Sequence, residues 1–262
     1  MKIGFIGGGN MASALISGLI ASGQAAADIV LTDTDGKKCD VWAKKGVTIA
    51  DSASHLEEIS ELIIFAVKPN VIENVLNKMK GYTDKIYLSI AAGVSLSYLE
   101  GKLGSDKKIV RTMPNTPAQV SCGMTVIAPN SNLDNEEISN IREIFSGVGA
   151  TEIMPEKFIN VATALHGSSP AYVYMMIDAM ADAGVAMGLS KEQALALSAK
   201  AVEGSAKMVM ETGIHPEQLK DNVCSPGGTT IAAVNDLEKN GFRAVIQSAI
   251  RACIKRADEM SK

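Results

Sequence analysis

Directly after the short apolar run Lys2–Ile6, the chain reads Gly7-Gly8-Gly9-Asn10-Met11-Ala12, and the helical pattern Met11–Ser22 follows. Strand, glycine turn and helix in that order leave few folds open. The turn fits G-x-G-x-x-A. Gly7 permits the tight bend, Gly9 lets backbone approach a pyrophosphate without a Cβ in the way, and Ala12 keeps the helix close to the sheet. The N–H groups across Gly8, Gly9, Asn10 and Met11 then point at the anion, aided by the helix dipole. A glycine-rich turn alone is weak evidence, but its place between strand and helix is what a dinucleotide-binding domain requires.

The rest of the first 155 residues alternates short β-branched runs with helical patterns. Strands are expected at Ile29–Thr32, Leu62–Val67, Ile86–Ile90, Ile109–Met113, Thr125–Ala128 and Ala150–Met154, with a helix at Glu136–Phe145. The run Leu62–Val67 is continuously apolar, as a strand buried on both faces should be. Strands separated by helices imply right-handed crossovers and a doubly wound sheet.

After Pro155 the strand signal vanishes. Phe158–Leu165, Ala171–Met187, Lys191–Glu211, Pro216–Asn222, Thr230–Asn240 and Phe242–Ser261 all read as helices. Ser169-Pro170, a capping box of Ser190 and Gln193, His215-Pro216 and Gly241 mark their ends. The expected fold class is therefore α/β: a doubly wound Rossmann-type sheet in residues 1–156, then an all-α dimerisation domain in residues 157–262. Aromatics are only 4% of the chain, while methionine numbers 13. Helices as apolar as Ala171–Met187 and Ala194–Met210 offer more nonpolar surface than so small a bundle covers alone. A homodimer through the helical domain is expected, with a ring of such dimers as a further step.

Net charge is −4, which argues against a nucleic-acid partner. No run of about eighteen apolar residues is present, so no membrane-spanning helix is expected. The glycines interrupt the apolar N-terminus where a signal peptide needs continuity. Cys39, Cys122, Cys224 and Cys253 show neither metal-ligand nor disulfide spacing. A cytoplasmic protein with reduced thiols and no metal is the expectation.

Several segments carry candidate chemistry. The second strand ends at Asp33, where an acid can accept from the adenosine ribose 2′-OH and repel a 2′-phosphate. That leans the cofactor from NADPH toward NADH, although Lys37 and Lys38 follow closely. Ala66-Val67-Lys68-Pro69 leaves the carboxyl end of a strand, the ligand-binding end of such sheets, and Pro69 turns the backbone there. Ala91-Ala92-Gly93 is small enough for a nicotinamide ring to lie against backbone. In Met113-Pro114-Asn115-Thr116-Pro117 two prolines set an extended turn, and Asn115 can tie backbone groups together. Ser225-Pro226-Gly227-Gly228-Thr229-Thr230 precedes a helix and carries no negative charge. Backbone N–H groups and threonine hydroxyls there suit a carboxylate, on the same physics as the phosphate cradle. His166 reads more readily as a helix-end histidine than as an acid, and no general acid is nominated.

The glycine turn, Ala66–Pro69, Met113–Pro117 and Leu219–Thr230 together resemble the 1-pyrroline-5-carboxylate reductase family, and the resemblance spans residue 1 to about 260. It implies reduction of a cyclic imine to L-proline by a nicotinamide cofactor. It further implies that Ala66–Lys68 contact the ribose and nicotinamide half of the cofactor and that Asn222 reaches the cofactor. The substrate carboxylate would sit at Ser225–Thr230 with Thr230 as hydroxyl donor, and Glu156 would lie near bound proline. The chain departs from some relatives at Ala53-Ser54, near the adenosine ribose, and at Gly213-Ile214, before the His-Pro pair.

Two rival functions compete with this one. A β-hydroxyacid dehydrogenase needs a base, usually a lysine in the first long helix of the second domain, and Ala171–Met187 contains none. A non-catalytic NAD-dependent sensor has no use for a second anion site.

Overall fold

The computed structural model describes residues 1–261; Lys262, the last residue of the expected second domain, lies outside them. Eight strands form one sheet: β1 (Ile3–Ile6), β2 (Ile29–Thr32), β3 (Thr48–Ile49), β4 (Leu62–Phe65), β5 (Ile86–Ser89), β6 (Lys108–Met113), β7 (Gly123–Pro129) and β8 (Gly149–Ile153). Their order is β3-β2-β1-β4-β5-β6-β7-β8. The chain winds outward from β1 in both directions, which places a crevice at the carboxyl ends of β1 and β4.

Alternation along each strand feeds two cores. Phe5, Leu62, Ile64 and Leu88 pack with Leu15 and Ile16 of α1 (Asn10–Ala21) and with Ile141 and Phe145 of α6 (Asn135–Ser146). Ile6, Ile63, Phe65 and Tyr87 pack on the other face with Leu56 of α3 (Ala53–Ile59), Ile72 of α4 (Pro69–Leu76) and Leu99 of α5 (Leu96–Leu103). All four residues of β4 are buried, as a strand covered on both faces demands.

The sheet departs from uniform winding at one pair. β6 and β7 run antiparallel, because only a tight turn through Thr116–Val120 joins them and no crossover helix intervenes. β7 and β8 are parallel to each other again, across α6. The two-residue strand β3 is too short to show any periodicity.

A buried polar cluster braces the edge of the second core. Glu57 is fully buried. Its carboxylate accepts from the backbone N–H of Lys80 (2.8 Å), the N–H of Gly81 (2.9 Å) and the hydroxyl of Tyr87 (2.7 Å). Burial first, and then the Glu57 charge, hold the Tyr87 phenol far above its ordinary range. Lys85 donates to the carbonyls of Glu57, Glu58 and Ser60, covering the orphan carbonyls where α3 ends.

The chain divides into two compact units: Met1–Ser168 together with Cys253 onward, and Ser169–Ala252. The first unit retains the short helix α7 (Ile159–Ala162) and a π-helical turn at Thr163–Gly167. The second holds α8 (Ser169–Ala186), α9 (Lys191–Thr212), α10 (Pro216–Val223), α11 (Thr229–Lys239) and most of α12 (Phe242–Met260). The Ser190–Gln193 capping box is formed at the start of α9, and Gly213 closes that helix in the left-handed conformation. Tyr174, Met175, Met187, Leu197 and Met210 of α8, α9 and their junction are exposed. Among the described residues no helix is long and apolar enough to cross a membrane.

Candidate active site

The glycine turn has the geometry its sequence requires. Gly7 sits at φ +103°, and its N–H donates to the Thr32 carbonyl (2.8 Å). A Cβ there would lie 2.6 Å from the Ala66 carbonyl oxygen. Gly9 is the N-cap of α1, with extended backbone and no side-chain capping bond. A Cβ on Gly9 would meet nothing within 4 Å, so it would fill open space over the helix start. The residues present therefore fit a pyrophosphate held by the first-turn N–H groups, with Asn10 and Met11 opening the helix.

Asp33 does more than stand at the end of β2. Its Oδ2 accepts from the Gly8 N–H (2.6 Å) and lies 3.4 Å from Lys38 Nζ, while Oδ1 accepts from the Asp35 N–H (2.8 Å). The carboxylate thus ties the glycine turn to the turn after β2. Burial pushes its pKa up, but the two N–H bonds and Lys38 outweigh that and hold it below the ordinary carboxylate value. A depressed folded pKa means the brace is present at neutral pH and is lost as pH falls through that lowered value.

The other predicted segments lie at the carboxyl ends of the neighbouring strands. Ala66 and Val67 leave β4 half-buried, Lys68 is exposed as the N-cap of α4, and Pro69 is the first residue of that helix. Ala91 is buried, Ala92 is exposed, and Gly93 turns at φ +76°. Ala91, Ala92 and Gly93 share the wall of a mostly apolar cavity of about 320 Å³ with Arg111, Met113, Asn160 and the end of α12. Asn115 joins backbone groups: its Oδ1 accepts from the Met124 N–H (2.9 Å), and its Nδ2 donates to the His166 carbonyl (3.0 Å).

Glu156 is placed by a network that no local pattern reveals. Its Oε1 accepts from Arg111 (3.0 Å) and from the Leu96 N–H (2.7 Å) at the start of α5. Arg111, itself buried, also donates to Asn160 Oδ1 (3.2 Å), and Asn160 Nδ2 donates to Asp258 Oδ1 (2.8 Å). Glu156 therefore anchors α7 and α5 to β6. Arg111 and Asn160 have no distinctive sequence context, because their partners lie 45 to 98 residues away.

In the second unit, α11 repeats the logic of α1. Gly228 is its N-cap, extended and without a side-chain capping bond, and Gly227 precedes it at φ +67°. The Gly228 N–H donates to the Ser225 carbonyl (3.0 Å), closing a turn in which a Cβ on Gly228 would collide with Ser225. The N–H groups of Thr229, Thr230 and Ile231 open the helix, and the Thr230 hydroxyl stands in its first turn. Asn222 is in the last turn of α10, exposed, with its Oδ1 accepting from Gln218 (3.0 Å). Glu217, in the first turn of α10, accepts from Lys220 of the same helix (2.8 Å) and from Arg243 of α12 (2.7 Å). The Lys220 bond and then Arg243 draw its carboxyl down to about 2.

A sheet wound outward from β1, with a glycine-led helix start at its switch point, defines a dinucleotide-binding protein. A family model for pyrroline-5-carboxylate reductase dimerisation matches residues 156–260, and one for NADP oxidoreductase, coenzyme F420-dependent, matches residues 2–93. Pyrroline-5-carboxylate reductase of Escherichia coli strain K12 is 46% identical over 265 residues, covering 100% of this chain and 98% of that protein. The solved pyrroline-5-carboxylate reductase of Coxiella burnetii has a TM-score of 0.94 at 35% identity, covering 100% of this chain and 98% of that one. The Plasmodium falciparum structure, which has NADP bound, has a TM-score of 0.89 at 33% identity, covering 100% and 98%. The chain belongs to the pyrroline-5-carboxylate reductase family.

Proposed function

We propose that the protein reduces 1-pyrroline-5-carboxylate to L-proline, with NAD(P)H as hydride donor. The observation that carries this reading is the pair of glycine-capped helix starts, α1 and α11, each with first-turn N–H groups free of a side-chain cap. One suits a pyrophosphate and the other a carboxylate, and family membership supplies the reaction that needs both. When bound, the reduced nicotinamide supplies the hydride that the imine carbon accepts.

The chain's own part is binding and orientation. Gly7, Gly8, Gly9, Asn10 and Met11 hold the pyrophosphate; Ala66, Val67, Lys68 and Pro69 with Ala91, Ala92 and Gly93 hold the nicotinamide half; Asn222 reaches the cofactor. Ser225, Gly227, Gly228, Thr229 and Thr230 hold the substrate carboxylate, and that grip fixes the ring for transfer. Thr230 adds its hydroxyl to the backbone donors there. Glu156 acts near the substrate through the segment it anchors. Residues 1–156 serve the cofactor and residues 157–262 the substrate and the partner subunit, in the cytoplasm.

The finer cofactor choice rests on Asp33. Gly8, Asp35 and Lys38 occupy three of the roughly four lone-pair positions of a carboxylate, which leaves one for a ribose hydroxyl. Its negative charge opposes a 2′-phosphate, and Lys38 offsets part of that. Oxidation of NADH and NADPH, followed by absorbance with pyrroline-5-carboxylate, tests both statements. Turnover with a modest advantage for NADH is expected. No turnover with either cofactor overturns the activity, and a large NADPH advantage overturns the cofactor choice.

The protein works as a homodimer through its helical half, supported by the match to the dimerisation model and by the exposed methionines of α8 and α9. A ring of dimers is the further step. Sedimentation at micromolar concentration should show a dimer or an even multiple of it, and a stable monomer overturns the assembly.

A further inference from the structure

The segment between the sheet and α8 contains a histidine with an unusual pair of partners. His166 lies in the π-helical turn Thr163–Gly167, where the Ser168 N–H reaches back to the Thr163 carbonyl (2.8 Å). Such turns are rare and gather at functional sites. Its Nδ1 is 2.6 Å from the Ala162 carbonyl, and its Nε2 is 2.8 Å from the Met113 carbonyl. The His166 carbonyl in turn accepts from Asn115. Side chain and backbone of one residue therefore grip both ends of the turn Met113–Asn115. Gly167 packs beside this turn, where a Cβ would lie 3.2 Å from Thr163 Cγ2 and 3.4 Å from Met113 Cε.

Met113 ends β6 beside β5, where the Thr112 hydroxyl donates to the Ser89 carbonyl (3.0 Å). Its side chain shares the cavity wall with Ala91, Ala92 and Gly93. We propose that His166 is a positioning residue for the reduction: by clamping the Met113 carbonyl to the π-helical turn, it fixes the wall that continues from Ala91–Gly93. The proposal rests on the reading that Ala91–Gly93 face the nicotinamide half of the cofactor.

Each ring nitrogen lies within hydrogen-bond distance of its own carbonyl, so the imidazole spans the gap between α7 and the end of β6. Several charged groups on the elements around it are engaged elsewhere. Arg111 on β6 pairs with Glu156, Lys157 lies over the Phe158 ring, and on α12 Arg256 pairs with Glu259 while Asp258 accepts from Asn160. Among the described residues the ring's hydrogen-bond partners are the two carbonyls alone.

Two amides separate the two bonds. The His166→Gln side-chain NH₂ reaches the place of Nε2 and keeps the Met113 bond, while that of His166→Asn reaches only the place of Nδ1 and keeps the Ala162 bond. Both are assayed by steady-state turnover, with cofactor affinity measured by calorimetry on the intact protein. His166→Asn is expected to lose roughly ten- to a hundredfold in kcat, the scale of a misplaced reacting geometry, with cofactor Kd unchanged. His166→Gln should retain kcat within about threefold, a rescue that depends on the Met113 bond alone. Wild-type kcat in His166→Asn, an equal loss in both variants, or a loss confined to cofactor affinity overturns the proposal. Wild-type turnover itself tests the underlying activity, independently of the difference between the variants.

Discussion

Thr230→Ala is expected to lower kcat/KM for the imine roughly 10- to 150-fold and to leave the cofactor Kd unchanged. The size follows from losing one hydrogen bond to a charged ligand, about 1.5–3 kcal/mol, at about 1.36 kcal/mol per factor of ten. The direction follows from placement. Thr230 stands in the first turn of α11, where Gly228 caps the helix without a side chain, so its hydroxyl supplements backbone donors that remain after mutation. Alanine favours a helix as well as threonine does, so the fold should persist. Thr230→Ser, which keeps the hydroxyl, should recover most of the loss. Unchanged efficiency in Thr230→Ala removes the carboxylate assignment from α11.

The second large effect separates two glycines of one motif. Gly7→Ala should destabilise the protein and weaken the cofactor together. At φ +103° an alanine is strained by about 1–3 kcal/mol. Its Cβ would also press on the Ala66 carbonyl, which β4 cannot easily withdraw because the Ala66 N–H is bonded to Ile6 (2.9 Å). Gly9→Ala is different. Its backbone is ordinary at φ −73°, and its Cβ meets no atom of the chain. Thermal unfolding should register Gly7→Ala with a lower Tm and leave Gly9→Ala near wild type. Calorimetric titration should show weakened cofactor binding in both. If Gly9→Ala binds the cofactor as wild type does, the pyrophosphate does not lie over the start of α1.

The strands and helices with strong local patterns lie where the sequence places them. The expected Ile29–Thr32 and Pro216–Asn222 differ from β2 and α10 by at most one residue, and the capping box at Ser190 is formed. Local signals reach no further than a turn or a few residues. β3 is two residues long and leaves no trace in a periodicity. The reversal at β7 depends on the absence of a crossover helix, and the strand residues read alike in either direction. Asp33 looked like a ribose contact, and the structure gives it a second task. A carboxylate at the end of β2 lies within reach of Gly8 only once β1 and β2 are paired.

The sequence alone makes legible the two glycine-led helix starts, at Gly7–Ala12 and again at Gly227–Thr230, that we propose as anion sites. Those sites need only a turn and the first residues of a helix, so contiguous residues define them. Which side chains brace those segments depends on long-range packing. Arg111 with Glu156, Asn160 with Asp258, and His166 with Met113 are brought together by the sheet and the helices laid on it. Contacts between residues so far apart in the chain exist only after the hydrophobic faces have chosen their partners.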